Sequence, residues 1–214
     1  MPGRLTSFVI GAALVAALGA GLALYGTGSI GGNGGAAPAP CASSEAALRR
    51  LAPLARGEVA AMQVLDAPKP APALAFKGAD GAEVSLASLK GRVLLVNLWA
   101  TWCAPCKAEM PALDRLQGEL GGADFAVVAI NVDTRNLDRP AAWLKENGIA
   151  RLAFYADPGG RVLPAIQRDT GSTGLPTTLL IDVQGCEVGV MKGPAEWSSQ
   201  DAKRLIRGAL GPSS

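Results

Sequence analysis

The chain has 214 residues, 49% of them hydrophobic, and a formal net charge of +2 from 20 Lys and Arg against 18 Asp and Glu. That length supports one domain with a sizeable core plus additional segments. The near-neutral balance, with no basic stripe and no interleaving of basic and aromatic residues, argues against nucleic-acid binding.

The N-terminus comes first in chain order. No charged residue lies between Arg4 and Glu45, and Phe8 to Tyr25 is an 18-residue run of apolar and small residues. That is close to the minimum for crossing a bilayer. Arg4 and the α-amino group precede the run, which predicts a cytoplasmic N-terminus (1–6), a membrane-spanning anchor (7–25) and an exported C-terminal part. A cleaved signal peptide and a lipoprotein cysteine at Cys41 are the alternatives. All three versions export the domain to a compartment where disulfides persist. The Gly/Ala/Pro-rich stretch 26–40 carries no charge and reads as a flexible tether. The domain then runs over 41–214.

Within the domain, Leu48, Leu51 and Leu54 recur at helical spacing, with Ser43 or Ser44 placed to cap a short amphipathic helix. Glu58–Val64 is expected to add a second turn or helix, making 41–66 a helical extension. Asp66–Pro72, with three prolines, is expected to be extended. A hairpin follows, Leu74–Lys77 and Glu83–Ser85 around Ala79-Asp80-Gly81. Leu86–Lys90 reads as a helical turn, and Val93–Trp99 as a central strand apolar on both faces. The next helix, Cys103–Glu119, is expected to kink at Pro111. Then come a strand (Phe125–Asn131), a helix (Arg139–Asn147), a third parallel strand (Leu152–Tyr155) and a short helix (Arg161–Gln167). An antiparallel hairpin (Thr177–Asp182, Glu187–Met191) and a closing helix (Ser199–Leu210) end the chain. Strands alternating with helices, then a hairpin, predict an α/β fold with a mixed central sheet and helices on both faces.

The chemistry concentrates where the central strand ends, in Trp102-Cys103-Ala104-Pro105-Cys106. Two cysteines separated by two residues after a buried strand make a thioredoxin-type redox arrangement. A helix beginning at Cys103 sets that sulfur near unpaired N–H groups and the positive end of the macrodipole, which favours the thiolate. Cys106 lies on the same face of the first turn, within reach of a disulfide with Cys103. Pro105 fits a first helical turn, where its missing N–H costs little. A zinc half-site needs about four ligands. The chain has no histidine, and Cys41 and Cys186 are not paired at short spacing. A purely structural bridge closing so small a loop would stabilise little.

The segment Asn97-Leu98-Trp99-Ala100-Thr101-Trp102-Cys103-Ala104-Pro105-Cys106-Lys107-Ala108-Glu109-Met110-Pro111, with Gly174-Leu175-Pro176-Thr177-Thr178, the anchor and the extra cysteines, resembles the TlpA-type thiol:disulfide interchange proteins of the thioredoxin fold. The resemblance implies a membrane-tethered periplasmic reductant serving cytochrome c maturation or copper-site assembly in cytochrome oxidase. It implies that Pro176 is cis, a trans turn proline being the alternative, and that it faces the redox pair. Leu175 would then be free to pair with an extended client. Trp102, Pro105, Leu175 and Pro176 would form the client groove, whereas Trp99 reads as packing. General thioredoxins carry a buried Asp where this chain has Asn97, and an amide cannot shuttle a proton. Glu109 resembles the acid that such reductants place near the pair, and is the candidate for managing the Cys106 proton; the alternative is a solvated helix glutamate. Cys41 and Cys186, 145 positions apart, are expected to form a structural disulfide, with free thiols or intermolecular pairing as alternatives. Chain entropy gives such a bridge at most about 5 kcal/mol.

In the implied reaction Cys103 attacks a client disulfide and Cys106 resolves the mixed disulfide. No nicotinamide, flavin or metal cofactor is implied. Electrons must come from a second protein, expected to be a transmembrane thiol donor. Expected clients are periplasmic disulfide proteins, cytochrome assembly factors or copper chaperones among them. The rivals are an oxidant or isomerase on the same fold, and a module holding Cu(I) by its thiolates. A peroxidase is disfavoured by Ala100, where thioredoxin-like peroxidases place a threonine. The insert Asp133–Gly148, between core strands, is a candidate client-recognition patch.

Overall fold

The computed structural model describes residues 41–211. The expected cytoplasmic N-terminus, membrane anchor and tether lie outside the described residues. Among the described residues, no helix is long and apolar enough to cross a membrane.

Helices α1 (Glu45–Leu51), α2 (Ala104–Leu120), α3 (Arg139–Glu146), α4 (Val162–Thr170) and α5 (Gln200–Leu210) surround strands β1 (Met62–Pro70), β2 (Ala75–Lys77), β3 (Glu83–Ser85), β4 (Val93–Trp99), β5 (Phe125–Asn131), β6 (Tyr155–Ala156), β7 (Thr177–Ile181) and β8 (Cys186–Lys192). The strands form one mixed sheet in the order β1-β8-β7-β4-β5-β6-β2-β3. β5 lies parallel to β4, and β6 parallel to β5; β7 runs antiparallel on the other side of β4. Every residue of β4 and β5 is buried. A strand covered on both faces can be apolar throughout, and that is why both read as continuous hydrophobic runs.

The two faces can be assigned from side-chain bonds, because strand side chains alternate. Asn97 of β4 and its cross-strand partner Thr178 of β7 bond to each other, and Asn97 also bonds Glu109 of α2. That face therefore carries α2. It also carries α3, because right-handed crossovers from β4 to β5 and from β5 to β6 step the same way across the sheet. Trp143 of α3 accordingly lies against Trp99, two residues beyond Asn97. α5 joins them, its Lys203 ion-paired with Glu119 of α2 at 2.6 Å, and α1 packs on α5. Thr177 points to the opposite face, where it meets Ser172 just beyond α4. On that face Lys69 of β1 bridges Asp169 of α4 and the buried Glu187 of β8.

Several boundaries differ from expectation. The helical extension stops short of residue 66, because Met62–Val64 pair with Gly189–Met191 as the start of β1. The register of β1 breaks between Val64 and Lys69, where Pro68 brings no N–H to the ladder. Ser44 holds the cap position of α1 but makes no cap bond, and its buried hydroxyl has no partner. The third parallel strand shrinks to Tyr155–Ala156. The N–H groups of Ala150, Arg151 and Leu152 instead bond Oδ1 of the buried Asp114 on α2. α4 begins at Val162, whose N–H is taken by Asp157 Oδ2 at 2.6 Å, and extends to Thr170. α2 runs through Pro111 as one helix.

Candidate active site

β4 ends at Trp99 and the chain turns through Ala100–Trp102 into α2. Two bonds from the end of β5 hold that turn. Val132 N–H donates to Trp99 O, and Thr101 N–H donates to Asp133 Oδ2. Asp133 is itself held by Asn131, which donates from Nδ2 and accepts through Oδ1.

Cys103 is the N-cap of α2, in extended backbone conformation, and its Sγ accepts from the Cys106 N–H at 3.2 Å. The two cysteines form a disulfide with Cα atoms 5.3 Å apart. A cap sulfur that accepts a backbone N–H is the geometry that stabilises a thiolate once the bridge opens. Cys103 is only 5% exposed, more covered than the exposed nucleophile the motif suggests, while Cys106 is fully buried. The neighbours supply the surface: Trp102 is 68% exposed, and Ala104 and Pro105 are exposed too. Leu175 is half-buried and Pro176 buried. The Leu175–Pro176 bond is cis. Thr177 pairs with Leu98, so the register places Pro176 at the end of the sheet where Trp99 leads into the cysteines. The loop before it is pinned by Ser172 and Thr177, whose hydroxyls meet at 2.6 Å, and by Thr177 Oγ1 donating to Gly174 O.

On α2, three residues beyond Cys106, stands Glu109, 4% exposed and thus no solvated helix residue. Its Oε1 accepts from Asn97 Nδ2 at 2.8 Å; its Oε2 accepts from the Ala195 N–H at 3.1 Å and Trp197 Nε1 at 3.0 Å. Burial pushes this carboxyl up from 4.5 to about 7, against the three hydrogen bonds, which favour the charged form. A carboxyl poised near neutrality, one helical turn beyond Cys106, can take or give a proton at working pH.

Trp99 is fully buried against Trp143, ring centroids 5.6 Å apart, and Lys107 lies 6.0 Å above the Trp143 ring. The insert 133–148 thus borders the active-site turn, beginning at the residue that holds Thr101. Cys41 and Cys186 form a second disulfide, Cα atoms 5.8 Å apart, fixing the segment before α1 to β8. Among the described residues no group of three or more His, Cys, Asp or Glu is arranged to hold a metal. A cavity of about 390 Å³ lined by Leu74, Leu86, Leu94 and Ile181 lies near the start of β4, the end of that strand away from the cysteines.

The Redoxin family profile matches residues 66–206. The chain belongs to the Redoxin family. Among relatives of this redoxin, the thioredoxin-like protein YneN of Bacillus subtilis (strain 168) is 33% identical over 131 residues, 56% of this chain and 71% of that protein. The thiol-disulfide oxidoreductase ResA of the same strain is 30% identical over 138 residues, 64% of this chain and 74% of that protein. A crystal structure of a thiol:disulfide interchange protein of the thioredoxin family from Chlorobium tepidum TLS matches with a TM-score of 0.56 and 34% identity, covering 69% of this chain and 100% of that one. This redoxin is a protein thiol:disulfide oxidoreductase of thioredoxin-like fold.

Sequence reading named the cysteines, Glu109 and the cis proline, but gave no role at the site to Asn131, Asp133, Ser172, Thr177 or Trp197. For Trp197 no local signal exists: it follows Glu109 by 88 positions. Ser172 and Thr177 carried a faint one, as hydroxyl residues flanking Gly174-Leu175-Pro176.

Proposed function

We propose that this redoxin is a TlpA-type reductant, tethered by residues 7–25 to the bacterial cytoplasmic membrane in a single pass, with its C-terminal domain in the periplasm. Its clients are disulfide proteins of cytochrome c or cytochrome oxidase copper-site biogenesis, and a transmembrane thiol protein re-reduces it. The observation that carries the reading is the asymmetric pair: a capping Cys103 beside an exposed Trp102, and a fully buried Cys106 one turn before a buried, near-neutral Glu109. The relationship to the thiol-disulfide oxidoreductase ResA supports dithiol–disulfide exchange, and the class of client rests on the resemblance to the TlpA-type proteins.

In the reduced protein, the Cys103 thiolate attacks one sulfur of a client disulfide. The client S–S bond breaks, a mixed disulfide forms and one client thiolate leaves. Cys106 passes its proton to Glu109 and attacks the Cys103 sulfur. The second client thiolate departs and takes up a proton. The client has gained two electrons, and Cys103–Cys106 is left as a disulfide. A donor dithiol restores it by the same exchange and is itself oxidised. Trp102 offers the client an apolar face, and the Leu175 backbone beside the cis proline offers edge hydrogen bonds.

The test uses the reduced full-length chain and peptides carrying an oxidised Cys-x-x-Cys-His pair, the haem attachment sequence. The reading predicts faster reduction of these peptides than of glutathione disulfide, and a trapped Cys103 mixed disulfide in the Cys106→Ser variant. Equal rates for both oxidants would reject the client class. Failure to trap would reject the order of attack.

A further inference from the structure

Two buried hydroxyls lie behind an exposed loop at the cysteine end of the sheet. Ser172 is 5% and Thr177 1% exposed, while Thr173 and Gly174 between them are exposed. Thr177 Oγ1 donates to Gly174 O at 2.8 Å, Ser172 Oγ lies 3.2 Å from the same carbonyl oxygen, and the two hydroxyl oxygens are 2.6 Å apart. Each hydroxyl has a single proton to give. When Thr177 gives its proton to Gly174 O, Ser172 gives its own to Thr177. In the reverse arrangement Ser172 bonds the carbonyl and Thr177 bonds Ser172. Gly174 O receives a hydroxyl proton in both.

The ends of the loop are fixed as well. Ser172 N–H donates to Thr170 Oγ1 at the end of α4, and Thr177 pairs with Leu98 of β4 and Lys192 of β8.

This arrangement decides which way the next peptide group faces. The Gly174–Leu175 peptide is trans. In a planar trans peptide the C=O and the N–H point in opposite directions. With Gly174 O turned inward to the buried hydroxyls, Leu175 N–H points the other way, out of the fold. Neither Leu175 N–H nor Leu175 C=O takes part in a backbone hydrogen bond among the described residues. The outer side has room for a partner, since a Cβ added to Gly174 would meet no atom within 4 Å.

We propose that Ser172 and Thr177 are positioning residues for client binding: their paired hydroxyls hold Gly174 C=O inward and thereby present Leu175 N–H to a backbone carbonyl of an extended client segment. This deepens the reading of Leu175 as the edge a client pairs with, and rests on it. The pair acts only on oxidants that carry a peptide backbone beside the disulfide. A small disulfide without amides gains nothing from it, so the two hydroxyls favour protein clients over small-molecule disulfides. They take no part in the exchange between sulfurs.

The experiment uses the reduced full-length chain in mild detergent and two oxidants, the oxidised Cys-x-x-Cys-His peptide and 2-hydroxyethyl disulfide, which has no amide. Thr177→Val removes the hydroxyl and keeps the shape. It is expected to raise the KM for the peptide about fivefold with kcat unchanged, as one hydrogen bond common to ground and transition states is lost. The rate with 2-hydroxyethyl disulfide is expected to stay at the wild-type value. Thr177→Ser is expected to restore the peptide KM. Ser172→Ala leaves Thr177 bonded to Gly174 O; it is expected to raise the peptide KM about twofold, and it carries the kinetic test alone should Thr177→Val not fold. Amide exchange of Leu175, read by NMR in the mixed disulfide trapped with Cys106→Ser, separates this proposal from the reading beneath it. Leu175 N–H is expected to be protected there, and less protected when Thr177→Val or Ser172→Ala is added. Equal protection with and without the hydroxyl, an unchanged peptide KM, equal losses toward both oxidants, or no rescue by Thr177→Ser would each overturn the positioning role and leave the client edge standing. A Leu175 N–H that stays unprotected in the Cys106→Ser mixed disulfide would overturn the edge, and the positioning role with it.

Discussion

Replacing Glu109 by glutamine should make the protein's stability less dependent on pH, in a direction and by an amount that follow from burial. The folded carboxyl is raised from 4.5 to about 7. Between those values the folded chain holds a proton that the unfolded chain has released, so stability falls as pH rises through this window. The stabilisation associated with the neutral acid is complete below 4.5 and lost once pH passes 7. A shift of this size corresponds to about 3 kcal/mol. Glutamine stays neutral and offers an oxygen to Trp197 and Ala195. The variant should therefore gain about 3 kcal/mol on wild type between about pH 4 and pH 8.5. The assay is urea unfolding of both oxidised proteins across that range, followed by tryptophan fluorescence. Every other titrating group, Glu187 included, is common to both chains and cancels in the difference. A difference that stays constant from acid to alkaline pH would refute the account of Glu109 as a desolvated acid.

Asp114 is almost fully buried and takes three backbone N–H groups and the Arg151 guanidinium; Asp114→Ala should cost about 3 kcal/mol in urea unfolding. Breaking the Cys41–Cys186 bridge, which closes a 145-position loop, with Cys41→Ser and Cys186→Ser should cost about 2–5 kcal/mol while leaving the Cys103–Cys106 potential unchanged. Trp102→Ala should leave the unfolding midpoint in place, since the ring is mostly exposed, but slow client reduction with little change toward glutathione disulfide. Glu187 is pushed up to about 8 by its burial and by the neighbouring Asp169. Glu187→Gln should accordingly remove a further loss of stability as pH rises from 4.5 through 8.

Features written in contiguous residues were legible in the sequence. β4 and β5 declare themselves as continuous apolar runs, and the closely spaced Cys103 and Cys106 come just after the first of them. The helical turn after Ser85 and the closing helix after Ser199 were read in place, and local bonds from these serines cap them, whereas the cap read at Ser43 or Ser44 makes no such bond. What stayed hidden depends on partners far along the chain. Asp114 decides that Ala150–Leu152 are not strand, from 36 to 38 positions away. The strand start at Met62 exists because β8 offers it an edge, although Val59 and Met62 also suit a helical stripe. Glu109 could be placed on the correct helix face from sequence, but its burial comes from Trp197 and Ala195 on a distant loop.

The central claim is that this redoxin donates electrons to client disulfides, and the reduction potential of Cys103–Cys106 tests it most directly. The full-length chain would be equilibrated in thiol–disulfide buffers and read by tryptophan fluorescence. The account predicts a two-electron transition at or below about −220 mV, in the range of the thioredoxins and glutaredoxins. A value near about −120 mV, in the range of strong oxidants, would contradict it.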